Sequence, residues 1–449
     1  MKYTILSAAI AAVLAAPAGA VAASDADIAG MRQALESVNR RLDALEQQNQ
    51  ALGAKNRQLE EKNAKLEEAN DKQTDQIAQA RAKASSSDWA SKVTWKGDLR
   101  YRHESVDPEE AVTDQLRHRI RARFGLTAKA TDTLSGTVQL ATNGGNGDPR
   151  STNQTLGSGF DRKGVGIDLA YVDWKAAEGV NLLLGKMPQP FQKVADYFYD
   201  GDITPEGAAL RFARGSFFAS VYGFWLQESA TASDANVLGA QVGIKQKLGD
   251  TMTVTGALGY YDVGAVQNEV TFAAAPCTVA VNNAFFGGSA TTPANGNRVS
   301  NVGGCRRLLN DFNVFDVLGQ VDLKLGSLPF SVFAQYAQNR DADDQDTAYA
   351  GGFTLGRASD PLTWELGYTY QKTEADALFG QFVDSDFGGG FTDSEGSVFK
   401  VGFAPTKNWV INGTYFMNDR FIDNPIAVGG VPTTSLGYDR YQIDFNVRY

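Results

Sequence analysis

Past residue 92 the chain alternates apolar and polar side chains with a period of two, in stretches that recur to its last position. A strand with that pattern turns one face to an apolar phase and the other to water, and about ten such residues cross a bilayer when tilted. Sixteen stretches fit: 93–106, 115–130, 133–142, 163–175, 179–187, 206–214, 216–228, 236–248, 251–264, 311–325, 329–340, 347–358, 361–373, 395–404, 408–420 and 437–449. In the last of them Tyr441, Ile443, Phe445, Val447 and Tyr449 alternate with Gln442, Asp444, Asn446 and Arg448. Leu362, Trp364, Leu366, Tyr368 and Tyr370 form a similar series.

The connections sharpen the expectation. Short links at 131–132, 249–250, 326–328 and 405–407 alternate with long ones at 107–114, 143–162, 188–205, 229–235, 265–310, 341–346, 374–394 and 421–436. Short turns on one side and long loops on the other are the asymmetry of bacterial outer-membrane barrels, and an even strand number returns both ends of the barrel to the periplasmic side. A soluble β-sandwich shows no such alternation. The expected fold is therefore an all-β transmembrane barrel of about sixteen antiparallel strands. The aromatic C-terminus, Tyr449, is of the kind that barrel-assembly machinery recognises.

Before residue 92 the period changes. Ile28, Leu35, Leu42, Asn49, Asn56, Asn63, Asn70 and Ile77 fall at position a of a heptad repeat, with Met31, Val38, Leu45, Leu52, Leu59, Leu66, Gln73 and Ala80 at d. An unbroken a/d stripe predicts a coiled coil over 25–80, and the four Asn at a weaken the seam while restricting its register and partner number. The alternative is a lone amphipathic helix, which usually carries a wider apolar stripe. Residues 81–91, with Ser85, Ser86 and Ser87, read as a linker, and 92–449 as the barrel. Residues 1–23 read as a signal peptide: Lys2, an apolar run from Ile5 to Ala16, then small residues around Ala18 to Ala22. The arm is then expected in the periplasm and the barrel in the outer membrane.

Composition supports strands over packed helices: 46 Gly, 25 Phe, 16 Tyr and 6 Trp stand against 13 Pro and 5 Met. A net charge of −10 argues against a nucleic-acid partner, which needs a basic track. The two cysteines, Cys277 and Cys305, lie in one Gly/Asn/Thr-rich segment, where an oxidising compartment favours a disulfide between them. His103 and His118 are remote from both, so no Cys/His metal cluster, cofactor or catalytic constellation is expected. His118 is expected to face lipid, and His103 sits in sequence among charged residues.

Candidate chemistry concentrates on charge. Arg117, Arg119, Arg121 and Arg123 share one face of the second strand, opposite Ile120, Ala122 and Phe124. Guanidinium groups facing hydrocarbon cost about 2–4 kcal/mol each at mid-depth, so these point into the lumen. Lys96, Arg100 and Arg102 on the first strand and Arg440 and Arg448 on the last have the matching phase, and in a closed barrel the three strands are neighbours. The link at 188–205 follows the fifth strand, where sixteen-stranded porins fold a loop inward. It carries Asp196, Asp200 and Asp202, with Glu206 just beyond. Two readings stand: an acidic constriction loop facing a basic wall across a solute path, or arginines that pair with lumen carboxylates such as Asp98, Glu104 and Asp444.

The chain resembles the "putative porin" proteins of Gram-negative bacteria. The likeness rests on Gly97 to Arg102, the run from Arg119 to Arg123, Ser151 to Gly157, Ile167 to Tyr171, Leu184 to Lys186 and Pro205 to Leu210. That resemblance implies an outer-membrane channel and adds no ligand; the function expected for the barrel is passive diffusion of small hydrophilic solutes. The N-terminal arm is similar to those of some phosphate-selective porins, which implies a preference for anions. A homotrimer is expected to form through arm and barrel. The rival expectation is a structural or adhesive barrel tethered through its coiled coil.

Overall fold

Residues 25–87, 89–142, 148–228, 233–279, 289, 292, 294–428 and 430–449 are described by a computed structural model of the chain. The expected signal peptide lies outside them. Helix α1 spans Asp25–Ser87, running past the point at which the linker was expected. Its Leu35, Val38, Leu42, Leu45, Leu52, Leu59, Leu66 and Ile77 are all exposed, so the heptad stripe is unburied within one chain. No described helix is long and apolar enough to cross a membrane, which says nothing of strands.

The alternating stretches fold as sixteen strands in one closed antiparallel sheet, to which the two-residue strand Gln154–Thr155 adds a short pairing with Arg119 and Ile120. They are β1 (Val93–Pro108), β2 (Gln115–Lys129), β3 (Leu134–Thr142), β4 (Val165–Ala177), β5 (Val180–Lys186), β6 (Glu206–Arg214), β7 (Phe217–Gln227) and β8 (Ala235–Leu248), followed by β9 (Met252–Gly264), β10 (Phe312–Leu325), β11 (Leu328–Asn339), β12 (Thr347–Gly356), β13 (Thr363–Thr373), β14 (Ser394–Thr406), β15 (Trp409–Arg420) and β16 (Leu436–Arg448). Each strand pairs with its sequence neighbours. The β1–β16 ladder, from Asp98↔Arg448 to Pro108↔Tyr438, closes the cylinder. Closure removes the unpaired edge that a bilayer would not tolerate. Two short turns depend on left-handed glycines, Gly249 (φ 68°) and Gly326 (φ 65°), where a side chain would strain the hairpin.

Outward positions carry Trp95, Leu99 and Phe124 near one end of β1–β2, and Ile443, Phe445 and Val447 on β16, all exposed. The inner wall is less uniform than a simple polar lumen. On β7 to β12 the inward residues include Tyr222, Phe224, Val237, Val263, Phe312 and Val314, and these are buried. They are covered by two links that turn into the barrel. One is the expected segment after β5, through Phe198, Tyr199 and Ile203; the other lies between β13 and β14 and contributes Leu378, Phe379, Phe382 and Val383. Burying each of these large apolar side chains contributes roughly 1.5–3 kcal/mol, which is what holds otherwise irregular backbone inside the cylinder. The two links also bond to each other: the Asp200 amide donates to the Phe382 carbonyl (2.7 Å) and the Asp384 amide to the Tyr197 carbonyl (3.1 Å).

The link after β9 carries a three-stranded sheet of Val270–Ala273, Val299–Val302 and Cys305–Leu308. A disulfide joins Cys277 to Cys305 beside it.

Candidate pore-lining site

The register of β16, β1 and β2 decides which charges meet. Across β1–β2, Arg100 stands opposite Arg121 and Arg102 opposite Arg119, two like-charge rungs that would repel if left alone. Opposite charges bracket them: Asp98 faces Arg123 and Glu104 faces Arg117, while on the other side Asp444 faces Arg102. Side chains then close the network. Asp98 takes Arg121 (2.8 Å) and Arg123 (2.6 Å), and Glu104 takes Arg117 (2.8 Å), Arg119 (3.5 Å) and Arg440 (2.8 Å). Asp444 accepts two parallel bonds from Arg102, at 2.7 and 2.8 Å. Arg100 lies 3.9 Å from Asp444 and donates to Asn153 Oδ1 at 2.7 Å.

Two carboxylates from the inward links complete the wall. Asp386, between β13 and β14, sits 2.8 Å from both Arg102 and Arg440 and accepts from Gln442 at 2.9 Å. Burial works against its ionisation, yet Arg440 and Arg102 hold its carboxyl well below the ordinary range. Asp202 lies 3.6 Å from Arg121 and 3.8 Å from Arg123.

The geometry thus favours direct pairing over an acidic loop held across a gap. Asp202 meets the basic wall, but the other acidic residues expected there do not. Asp200 is buried in the seam between the two links, where its carboxylate accepts from the Ser385 amide (2.9 Å). Asp196 pairs with Lys193 (2.8 Å). Glu206 shares the outward phase of Leu210 and Phe212 and pairs with Lys186 (2.9 Å), so it is no part of a constriction. The local reason is the β-phase: Glu206 is already in strand β6, where every second residue leaves the lumen. His103, flanked in sequence by Arg102 and Glu104, also faces outward by this rule.

Lys96 and Arg448 have the expected inward phase at the lower end of the wall and form no ion pair among the described residues. Seven arginines, Arg100, Arg102, Arg117, Arg119, Arg121, Arg123 and Arg440, share five carboxylates, so positive charge remains in excess. Two chambers adjoin this wall. A cavity of about 200 Å³ is lined by Arg117, Arg119, Asp148, Asn153, Asp386 and Arg440. A second, of about 500 Å³, is lined by Arg100, Arg102, Arg121, Asp444, Asn446 and Arg448 among others. Asp386, tied to residues of both chambers, stands at the boundary between them.

Sequence reading missed Asp386 and Arg150. Arg150 is buried beneath the link between β13 and β14 and donates to the carbonyls of Gly380 (3.0 Å) and Gly390 (2.8 Å). A signal was available: Leu378, Phe379, Phe382, Val383, Phe387 and Phe391 make that link too apolar for a solvated outer loop.

The seam between the links predicts a response to pH. Asp384, half-buried and near the charges of Asp386 and Asp196, has its carboxyl pushed up to about 7 by desolvation and those charges, with Arg440 opposing the shift. Asp200, more deeply buried and near Asp384 and Asp202, is raised as well. A detached link would ionise Asp384 from about pH 4, whereas the seated one keeps it neutral to about pH 7. Seating should therefore weaken as pH rises through that window and stay weak above it. Single-channel conductance is expected to increase with pH across the window in the wild type, less steeply in Asp384→Asn, where Asp200 still titrates, and to stay level when Asp200→Asn is added.

No curated protein matches the chain. Among solved structures, Pseudomonas putida OprB at high pH superposes with a TM-score of 0.51 at 12% identity, over 82% of this chain and 96% of that one. That likeness bears on the fold, a closed porin-type barrel. A loop-deletion form of OmpT, an outer membrane protein of Vibrio cholerae, gives 0.45 at 12% identity over 80% of this chain and 100% of that one. Residues 105–302 and 308–449 match a family described as "putative porin". With that match covering most of a closed sixteen-stranded barrel, the chain belongs to the "putative porin" family of outer-membrane channels.

Proposed function

We propose that the protein is an outer-membrane porin that admits small hydrophilic solutes by passive diffusion, prefers anions and performs no catalytic step. The observation carrying the anion preference is the excess of arginines over carboxylates along the β16–β1–β2 wall beside both chambers. A fixed positive excess in a confined polar path raises the local concentration of anions and lowers that of cations. The exposed leucine stripe of α1 supports a coiled coil between copies in the periplasm, and a trimer is the assembly we assign to it.

Reversal potential across a planar bilayer under a KCl gradient tests the selectivity, and absence of any conductance would remove the channel itself. The wild type should favour chloride. Replacing the two unpaired cations together, Lys96→Glu with Arg448→Glu, should move the potential toward potassium without disturbing the buried pairs. An unchanged potential would mean that the wall does not face the ions.

A further inference from the structure

The chain has two histidines, and the β1–β2 register sets them directly opposite one another, His103 against His118. Both lie in the outward series of their strands, with Leu99 and Tyr101 on β1 and Leu116 and Phe124 on β2. Their neighbours Arg102, Glu104, Arg117 and Arg119 face the lumen. An ionisable side chain on the lipid side is costly unless it has a partner, so a pair of them in register calls for a physical account.

The two Nδ1 atoms are 3.4 Å apart, with ring centroids 4.9 Å apart and planes tilted by 51°. The Tyr101 hydroxyl lies 2.7 Å from His118 Nδ1. Imidazole nitrogens bind Zn²⁺ at about 2.0–2.1 Å, and two of them at a tetrahedral angle then stand a little over 3 Å apart. The hairpin already holds its imidazoles at that spacing, so binding an ion requires only that the Tyr101 hydroxyl give up His118 Nδ1. The depth suits it too. One step further out, Ser105 pairs with Tyr441, whose ring stacks on Tyr415 with centroids 4.3 Å apart. Such an aromatic row marks the interfacial level, where water can complete a coordination sphere. Beyond it the rim bears Asp107, Glu109, Asp419 and Asp439, whose field draws cations toward this face.

We propose that His103 and His118 form a two-nitrogen site for a divalent first-row transition ion, Zn²⁺ or Cu²⁺, on the outer wall of the β1–β2 hairpin. The site is independent of solute passage. Neutral imidazole is a good ligand for either ion, and the hard carboxylates of the rim are poor competitors for Cu²⁺. The bound ion links two adjacent strands and, by binding only the folded barrel, raises its stability.

The test uses full-length protein without a histidine tag, refolded in detergent, with Cu²⁺ and Zn²⁺ as the probes. Isothermal titration should give one ion per chain, and His103→Asn or His118→Asn should weaken binding roughly ten- to a hundredfold. Zn²⁺ should raise the temperature at which the wild type loses its heat-modifiable migration and leave both variants unmoved. Electron paramagnetic resonance of the wild type with Cu²⁺ should show splitting from two nitrogens, a readout that holds even if a variant folds poorly. Equal affinity in the variants, which would assign the ion to the rim carboxylates, overturns the proposal. So does a spectrum with fewer than two nitrogens, or no binding at all.

Discussion

Replacing Asp386 by Asn is expected to release the link between β13 and β14 from the basic wall. The carboxylate is the one group that joins that link to Arg102 and Arg440 together, at 2.8 Å each. Removing one member of a buried ion pair costs about 3–5 kcal/mol when its partner is left uncompensated, which bounds the loss from above here. Here the loss falls on the link and not on the barrel, since Arg102 keeps Asp444 and Arg440 keeps Glu104. Single-channel conductance should rise and the reversal potential should move further toward chloride, as a negative charge leaves the boundary between the chambers. Heat-modifiable migration should be retained. Unaltered conductance and selectivity would show that Asp386 does not border the solute path.

A second substitution acts on the same segment through packing. Phe379 and Phe382 are almost wholly buried against each other, Phe312 and Tyr199. Truncating a buried Phe to Ala costs about 3–5 kcal/mol from lost transfer energy and the cavity left behind. The double variant Phe379→Ala, Phe382→Ala should therefore unseat the link while the strand ladders stay paired. Limited proteolysis of the intact barrel is expected to cut within 374–393 in this variant and not in the wild type, and its conductance should exceed that of Asp386→Asn. Protection equal to the wild type would mean that the segment is held by its polar contacts without the phenyl packing, among them the bonds of Arg150 and Asn297 to its backbone and the pairs of Asp386.

Much of the barrel was legible in the sequence because lipid on one side and water on the other impose a strict period of two. Each strand begins and ends within two residues of the stretch read for it, and the lumen phase of Arg100, Arg102, Arg117, Arg119, Arg121 and Arg123 followed from the cost of charge in hydrocarbon. The loops obey no such period. Whether Asp200 faces a solute path or a loop seam depends on which segment packs above it, and local sequence does not encode that contact. The partner, residues 374–393, lies far along the chain, and only its density of Phe pointed inward. Glu206 failed for a smaller reason: one step in register separates the lumen from the outer face.

The central claim is that solute passes along the β16–β1–β2 wall and not beneath the segment after β5, where Asn181 and Arg211 line a cavity of about 370 Å³. The native cysteines are joined to each other, so a single introduced thiol can be addressed. Asn446→Cys, in the chamber beside Arg100, should lose most of its conductance when modified by an anionic thiol reagent, whereas Asn181→Cys should keep its own. Block at Asn181→Cys with none at Asn446→Cys would contradict the account.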